Sequence, residues 1–184
     1  MEPRKLYRLA AVMACAALLA GLPLGGETDA REAGAGKEAV ARADSAAAAL
    51  AARFAAPPRL AALIHAEALR QGLSPEMAFA VVEVESGFDP TAVGRHGEIG
   101  LMQIKPSVAR AYGRIDAGSL ARADTNLRCG LTHLRREVEH FGDVRLGLLA
   151  YNMGRTRLSR LLARGSDPST GYARRVLERC GASC

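Results

Sequence analysis

The sequence predicts an α-dominated fold, and three observations carry that expectation. The chain has 184 residues, 49% hydrophobic, with aromatics at 4% and no tryptophan, so its core must be built from Leu, Val, Ile and Ala. Ala and Leu have high helix propensity. Apolar residues recur at three- and four-residue spacing from residue 60 onward, with no convincing run of strict alternation, which is the pattern of helices with one buried face. Helix starts and stops are written as capping residues, prolines and glycines at the ends of those runs.

The elements follow in order. Residues 1–26 read as an export segment: Arg4, Lys5 and Arg8 precede an apolar stretch from Leu9 to Leu24. That stretch is shorter than the roughly 20 residues of a membrane-spanning helix, so a cleaved signal peptide is expected, with cleavage between Gly25 and Ala30. Cys15 lies inside the apolar run rather than at its end, which argues against lipid attachment, while a retained membrane anchor stays open. Residues 27–56 are Ala- and Gly-rich, without large apolar anchors, and read as a linker or loosely packed helix. Pro57 and Pro58 mark the start of a main domain at 57–184.

Within that domain, Leu60, Leu63, Ile64 and Ala68 share a helical face that stops at Gly72. Ser74-Pro75-Glu76 combines a cap, a first-turn proline and an acid near the positive helix end. The helix it opens carries Met77, Val81 and Glu85 and ends at Gly87 and Pro90. Residues 88–104 are loop-like, a short helix runs from Pro106 to Tyr112, and Asp124 is expected to cap a longer one. That helix carries Leu127, Leu131, Leu134, Val138 and Phe141 and stops at Gly142. Asp143 caps the next, through Leu146, Leu149 and Ala150. A last helix carries Tyr172, Val176, Leu177 and Cys180.

The formal charge of +6 leaves about +4 beyond the first 25 residues. That modest balance suits an anionic partner such as a cell wall or ordinary solubility, and no dense basic block suggests nucleic acid. Export leaves Cys129, Cys180 and Cys184 in an oxidising compartment, where three thiols allow one disulfide. No CxxC-type ligand cluster suggests zinc. His133 and His140 lie seven apart on one helix face and His96 lies in the glycine loop, but solvated histidines are the simpler reading.

Two stretches carry chemistry: Glu85-Ser86-Gly87-Phe88-Asp89-Pro90 and Gly100-Leu101-Met102-Gln103-Ile104. Glu85 falls at the negative C-terminal end of an apolar helix, on the face of Met77 and Val81, and both effects raise a carboxyl pKa. A carboxylic acid still protonated near neutral pH is what glycosidic cleavage requires. Glu83 sits among Phe79 and Val82, so pattern alone does not choose between the two acids. In the second stretch, glycines allow close backbone approach to a ligand and Gln103 offers a donor and an acceptor.

Together with Ala92-Val93, Pro106, Asp124, Asn126, Gly130, Ala150-Tyr151-Asn152, Gly154 and Tyr172, these segments resemble the soluble lytic transglycosylase domain, which shares the goose-type lysozyme fold, over roughly residues 58–180. The resemblance implies a lysozyme-like domain acting on peptidoglycan in the periplasm. Glu85, the glutamate directly followed by serine, matches the catalytic acid and base. Ser86, Gly100, Met102, Gln103, Tyr151, Asn152 and Tyr172 match substrate-contacting positions, and Asn126 matches a structural one that holds a helix start. No cofactor is implied, and a secretion or conjugation apparatus is a further partner it leaves open. Packing the last helix back so that Tyr172 reaches the cleft would set Cys180 or Cys184 beside Cys129, with Cys129–Cys180 the leading pairing. Gly94, Lys105, Met153 and Arg155 depart from the family pattern. A hydrolytic muramidase on the same fold and a non-catalytic wall-binding domain are the alternatives.

Overall fold

The computed structural model describes residues 27–166, Pro168 and residues 171–184; the expected export segment at 1–26 lies outside the described residues. The chain divides into two compact units, Met1–Lys37 and Glu38–Cys184. Of the first, the described part is the opening of one helix, α1 (Glu27–Phe54). The second holds the end of α1 and all that follows. The main domain expected to begin at residue 57 shares its core with residues before that boundary: Leu50, Phe54 and Ala56 belong to its buried cluster, and Phe54 packs on Phe79 at 5.4 Å between ring centroids. The Ala-rich composition hid this contribution, because only two large apolar side chains carry it.

The helices that follow are α2 (Pro58–Arg70), α3 (Pro75–Ser86), α4 (Pro106–Ala109), α5 (Ala117–Leu120), α6 (Ala123–Phe141), α7 (Val144–Met153), α8 (Arg155–Ala163) and α9 (Gly171–Cys180). Among the described residues there is no strand, so the domain is all-α; only isolated bridges at Val93, Ile99 and Ile104 fold the loop between α3 and α4. No single helix among them is long and apolar enough to cross a membrane.

Local chemistry explains most boundaries. Ser74 accepts from the Met77 amide at the start of α3, and Gly87, left-handed at φ 60°, ends it. Asp143 accepts from the Leu146 amide at 2.7 Å to start α7. The expected cap at Asp124 is corrected: the cap position is Arg122, two residues earlier, and Asp124 sits in the first turn of α6 with its carboxylate turned to Arg122 at 3.2 Å. In α2, Leu63 is 42% exposed, and the buried face runs instead through Ala61, Ile64, His65 and Ala68. Helices α5 and α8 carry no readable stripe, because each buries a single leucine, Leu120 and Leu158.

Long contacts bring the ends of the fold together. Helix α6 packs on α7 and α2, and α3 packs on α9. The Arg53 guanidinium donates to the Arg179 and Cys180 carbonyls at 2.7 and 2.9 Å, satisfying the open C-terminal end of α9. Arg179 in turn pairs with Glu83 on α3.

The expected Cys129–Cys180 disulfide is corrected. Cys180 pairs with Cys184, because a tight turn at Gly181–Ser183 brings their Cα atoms to 5.8 Å. Cys129 is a free thiol in the core, 2% exposed, and burial pushes its pKa up to about 11. A thiol that stays protonated and covered is unreactive. Alkylation of the native, non-reduced protein is expected to leave Cys129 unmodified, and mass mapping after unfolding without reductant should find it as the single free thiol of the three. A peptide linking residue 129 to either other cysteine would contradict this.

Candidate active site

Glu85 occupies the last turn of α3, where the helix carbonyls carry partial negative charge. Beyond it Gly87 and Phe88 both take left-handed φ, 60° and 66°, turning the chain sharply into the loop. Phe88 pays for that unusual backbone by burying its ring beside Phe79, 6.2 Å away. Ser86 fastens the same corner: its hydroxyl lies 2.9 Å from the Leu101 carbonyl and 3.2 Å from that of Val82.

The loop is ordered by its own backbone and by one buried side chain. The Gly94 amide donates to Glu98, the Gly100 amide to Ala92, and Ile99 and Ile104 exchange two bonds. Asn126 of α6, 1% exposed, donates to the Ile99 and Leu120 carbonyls at 2.7 and 2.9 Å and accepts from the Met102 amide at 2.8 Å. Gly100 is required beneath it: a Cβ there would lie 2.6 Å from the Asn126 nitrogen, and φ is +75°. The assignment of Asn126 to a helix start is thereby refined, since its partners are the loop and the end of α5.

A cleft of about 330 Å³ opens beside Glu85, lined also by Glu98, Gln103, Lys105, Val108, His133, Tyr151, Asn152 and Met153. Of the expected contact residues, Gln103, Tyr151 and Asn152 lie in its wall. Gln103, at φ +47°, gives its amide nitrogen to the Ala92 and Gly100 carbonyls at 3.2 and 2.9 Å, so its oxygen is the end left for a ligand. Tyr151 donates to the Met102 carbonyl at 2.7 Å. Tyr172, on α9, donates to the Glu85 Oε1 at 2.7 Å.

Three positions are corrected. Met102 is fully buried against Gly130, and only its backbone serves the wall. Gly100 is buried under Asn126, and Ser86 spends its hydroxyl on carbonyls. These residues shape the cleft rather than line it. Glu98, Lys105 and His133 also lie in the wall, and of these His133 is the one sequence reasoning missed. The departures at 94 and 105 point to the other two: a Cβ at Gly94 would lie 2.4 Å from the Glu98 Oε2. That carboxylate also accepts from the His96 amide at 2.9 Å and faces Lys105 at 3.3 Å. The departure at Arg155 has a partner too, since its guanidinium makes two 2.9 Å bonds to Glu137, a buried carboxylate behind His133. His140, by contrast, is exposed and packs its ring on Phe141.

Burial raises the Glu85 pKa from 4.5 to about 7; the Tyr172 hydrogen bond opposes this, the Glu98 charge adds to it and Arg175 opposes it. Desolvation therefore wins over the hydrogen bond, and the side chain is an acid poised near neutrality. Tyr151 and Tyr172 are pushed well above the ordinary phenol range by burial, and next by the Glu85 charge, so both remain donors. Glu83, the rival acid, faces Arg179 on α9 instead of the cleft.

A family model for the transglycosylase SLT domain matches residues 62–170. The chain is 33% identical over 91 residues to a transglycosylase of Enterobacteria phage PRD1, covering 50% of this chain and 33% of that protein. It is 35% identical over 71 residues to an endo-type membrane-bound lytic murein transglycosylase A of Cronobacter sakazakii, covering 34% of this chain and 35% of that one. Among solved structures it is similar to the 70 kDa soluble lytic transglycosylase of Escherichia coli (TM-score 0.59, 26% identity, 64% of this chain and 23% of that chain). It is also similar to an inactive mutant of the lytic transglycosylase Slt of Pseudomonas aeruginosa (TM-score 0.58, 25% identity, 66% of this chain and 23% of that chain). The chain thus spans about a third of the length of the curated relatives it matches.

The raised pKa has a consequence for stability. A carboxyl whose folded pKa lies above its unfolded one contributes full stability in acid, lost as pH climbs from about 4.5 through about 7. Glu85→Gln, neutral at every pH, escapes that loss. Denaturant unfolding at several pH values should show the variant gaining on the parent between pH 5 and 8, whereas a constant difference would contradict the raised pKa.

Proposed function

The chain belongs to the transglycosylase SLT domain family, and from that premise we propose that it is a lytic transglycosylase. It cleaves the β-1,4 bond between N-acetylmuramic acid and N-acetylglucosamine in peptidoglycan, with Glu85 as its acid and then its base. The observation that carries this reading is the Glu85 carboxyl, half-protonated near pH 7 and held by a tyrosine hydroxyl, in the wall of a cleft large enough for sugar rings.

The steps follow from what one such group can do. Protonated Glu85 donates to the bridging oxygen, and the C1–O4 bond breaks. The 2-acetamido group of the muramoyl residue attacks C1 and holds the developing charge, a substrate-assisted route. Glu85, now a carboxylate, takes the proton of the muramoyl C6 hydroxyl as that oxygen closes on C1. The acetamido group is released, Glu85 is protonated again, and the product is a 1,6-anhydro sugar. The attack is intramolecular and gains effective molarity over water. Tyr172 holds Oε1 through both protonation states. Gln103 presents its oxygen, and Asn152 its amide, to hydroxyls or acetamides along the strand. The site of action is the cell envelope, where the substrate lies.

Hydrolysis is the second reading, and one observation favours it: Glu98 is a second carboxylate in the same cleft. Desolvation raises its pKa, but hydrogen bonds from its own backbone amide, the His96 amide and Lys105 together hold it below the ordinary value. An oxygen pair committed to those donors is a poor base for water, which is why the lyase route is preferred.

Digestion of purified peptidoglycan in ¹⁸O-labelled water decides between them. New muramoyl ends are expected to be anhydro and unlabelled, whereas labelled reducing ends would make the chain a muramidase. Glu85→Gln is expected to lower the rate by roughly 10²–10⁴-fold, the range of general acid catalysis, while Glu83→Gln retains activity.

A further inference from the structure

His133 projects from the middle of α6 into the wall of the cleft, with 18% of its side chain exposed. Its ring stands 5.2 Å from that of Tyr151. Its Nδ1 faces away from the opening: the Tyr112 hydroxyl lies 2.8 Å from it and the Glu137 Oε1 3.5 Å. Resting on the function proposed above, we infer that His133 is a further substrate-binding residue, which offers its Nε2–H to a carbonyl or hydroxyl oxygen of an N-acetylhexosamine unit in the cleft.

Tyr112 has one proton to give and its hydroxyl meets His133. The nearest cation, Arg136, lies over the Tyr112 ring at 4.7 Å and can only donate. The Glu137 carboxylate already accepts two Arg155 bonds at 2.9 Å and stands 3.5 Å from Nδ1, beyond ordinary hydrogen-bond length, whereas the Tyr112 hydroxyl is at 2.8 Å. Tyr112 is thus assigned as the donor and Nδ1 as the acceptor. A neutral imidazole whose Nδ1 accepts must carry its single proton on Nε2. Burial holds the His133 pKa below the ordinary value, chiefly by desolvation, with Glu137 opposing and Arg155 and Arg136 adding, so the ring is neutral at pH 7. The charged or titratable groups around it are thus Tyr112, Arg136, Glu137, Arg155 and Tyr151. The result is an uncharged donor in a cleft whose lining also holds the Gln103 acceptor. A sugar acetamide or hydroxyl can meet either.

The test uses the full chain carrying Glu85→Gln, to prevent turnover, with chitotetraose as the probe, since it presents acetamides and hydroxyls without charge or peptide. Nitrogen-15 NMR of the imidazole should show the Nε2–H form in the parent and a shift toward Nδ1–H in Tyr112→Phe. His133→Phe should weaken chitotetraose binding roughly three- to tenfold, the value of one neutral hydrogen bond, and His133→Gln, which keeps an N–H at similar reach, should recover it. Where His133→Phe fails to fold, Tyr112→Phe carries the binding test, with a weakening expected alongside the tautomer change. An Nδ1–H ring in the parent, or unchanged affinity in folded variants, overturns the inference. A parent that binds no chitotetraose overturns the functional reading beneath it instead.

Discussion

The Asn126 carboxamide is the contact on which the candidate site depends. One buried side chain satisfies two carbonyls and one amide drawn from three places: the Ile99 carbonyl, the Met102 amide and the Leu120 carbonyl. Buried polar groups left unpaired cost about 1–3 kcal/mol each, so the loop is held by a group whose removal would orphan several partners at once. Each neighbouring feature hangs on this fixture. Leu101 offers its carbonyl to Ser86 at the end of α3, and Met102 offers its carbonyl to Tyr151 on α7. The wall on one side of Glu85 is therefore backbone of a loop with no sheet or helix of its own, stabilised by a residue of α6.

The opposite side is built from the chain end. Helix α9 is anchored twice, by Arg53 on its terminal carbonyls and by Arg179 on Glu83. Those anchors put Tyr172 against Glu85. The acid is then closed in by the end of one helix, a stapled loop and a tyrosine, and it is this enclosure, more than any single neighbour, that lifts its pKa to about 7. The left-handed backbone at Phe88 and Gln103 belongs to the same construction. Non-glycine residues in that region are strained by about 1–3 kcal/mol and persist where surrounding contacts over-determine them, as the Phe79 contact and the Gln103 side-chain bonds do here.

Much of this was readable in the sequence and the remainder was hidden for physical reasons. Ser74, Gly87, Asp143 and Gly142 act within a few residues of themselves, so capping chemistry located α3, α7 and the end of α6 with little ambiguity. Helix α8 escaped because nearly its whole surface is exposed, leaving Leu158 as its one buried position. The disulfide is not legible in the sequence because a four-residue separation closes through a backbone turn at Gly181, at φ +73°, a local geometry that no spacing rule encodes. The supporting roles of Ser86, Gly100 and Met102 are hidden because motif membership does not separate residues that touch a ligand from residues that hold those that do. His133 read as a surface histidine from helical spacing alone; Tyr112 and Glu137, which give it a direction, become its neighbours only in three dimensions.

Enclosure by the stapled loop makes Glu85 an acid near neutrality. Titration of its carboxyl carbon by ¹³C NMR, in the parent chain and in Asn126→Ala, tests this directly. The expected midpoint is near 7 in the parent, with a fall toward the ordinary carboxylate range in a folded variant whose loop has been released. A parent midpoint near 4.5, or a raised midpoint indifferent to the loss of Asn126, would contradict it.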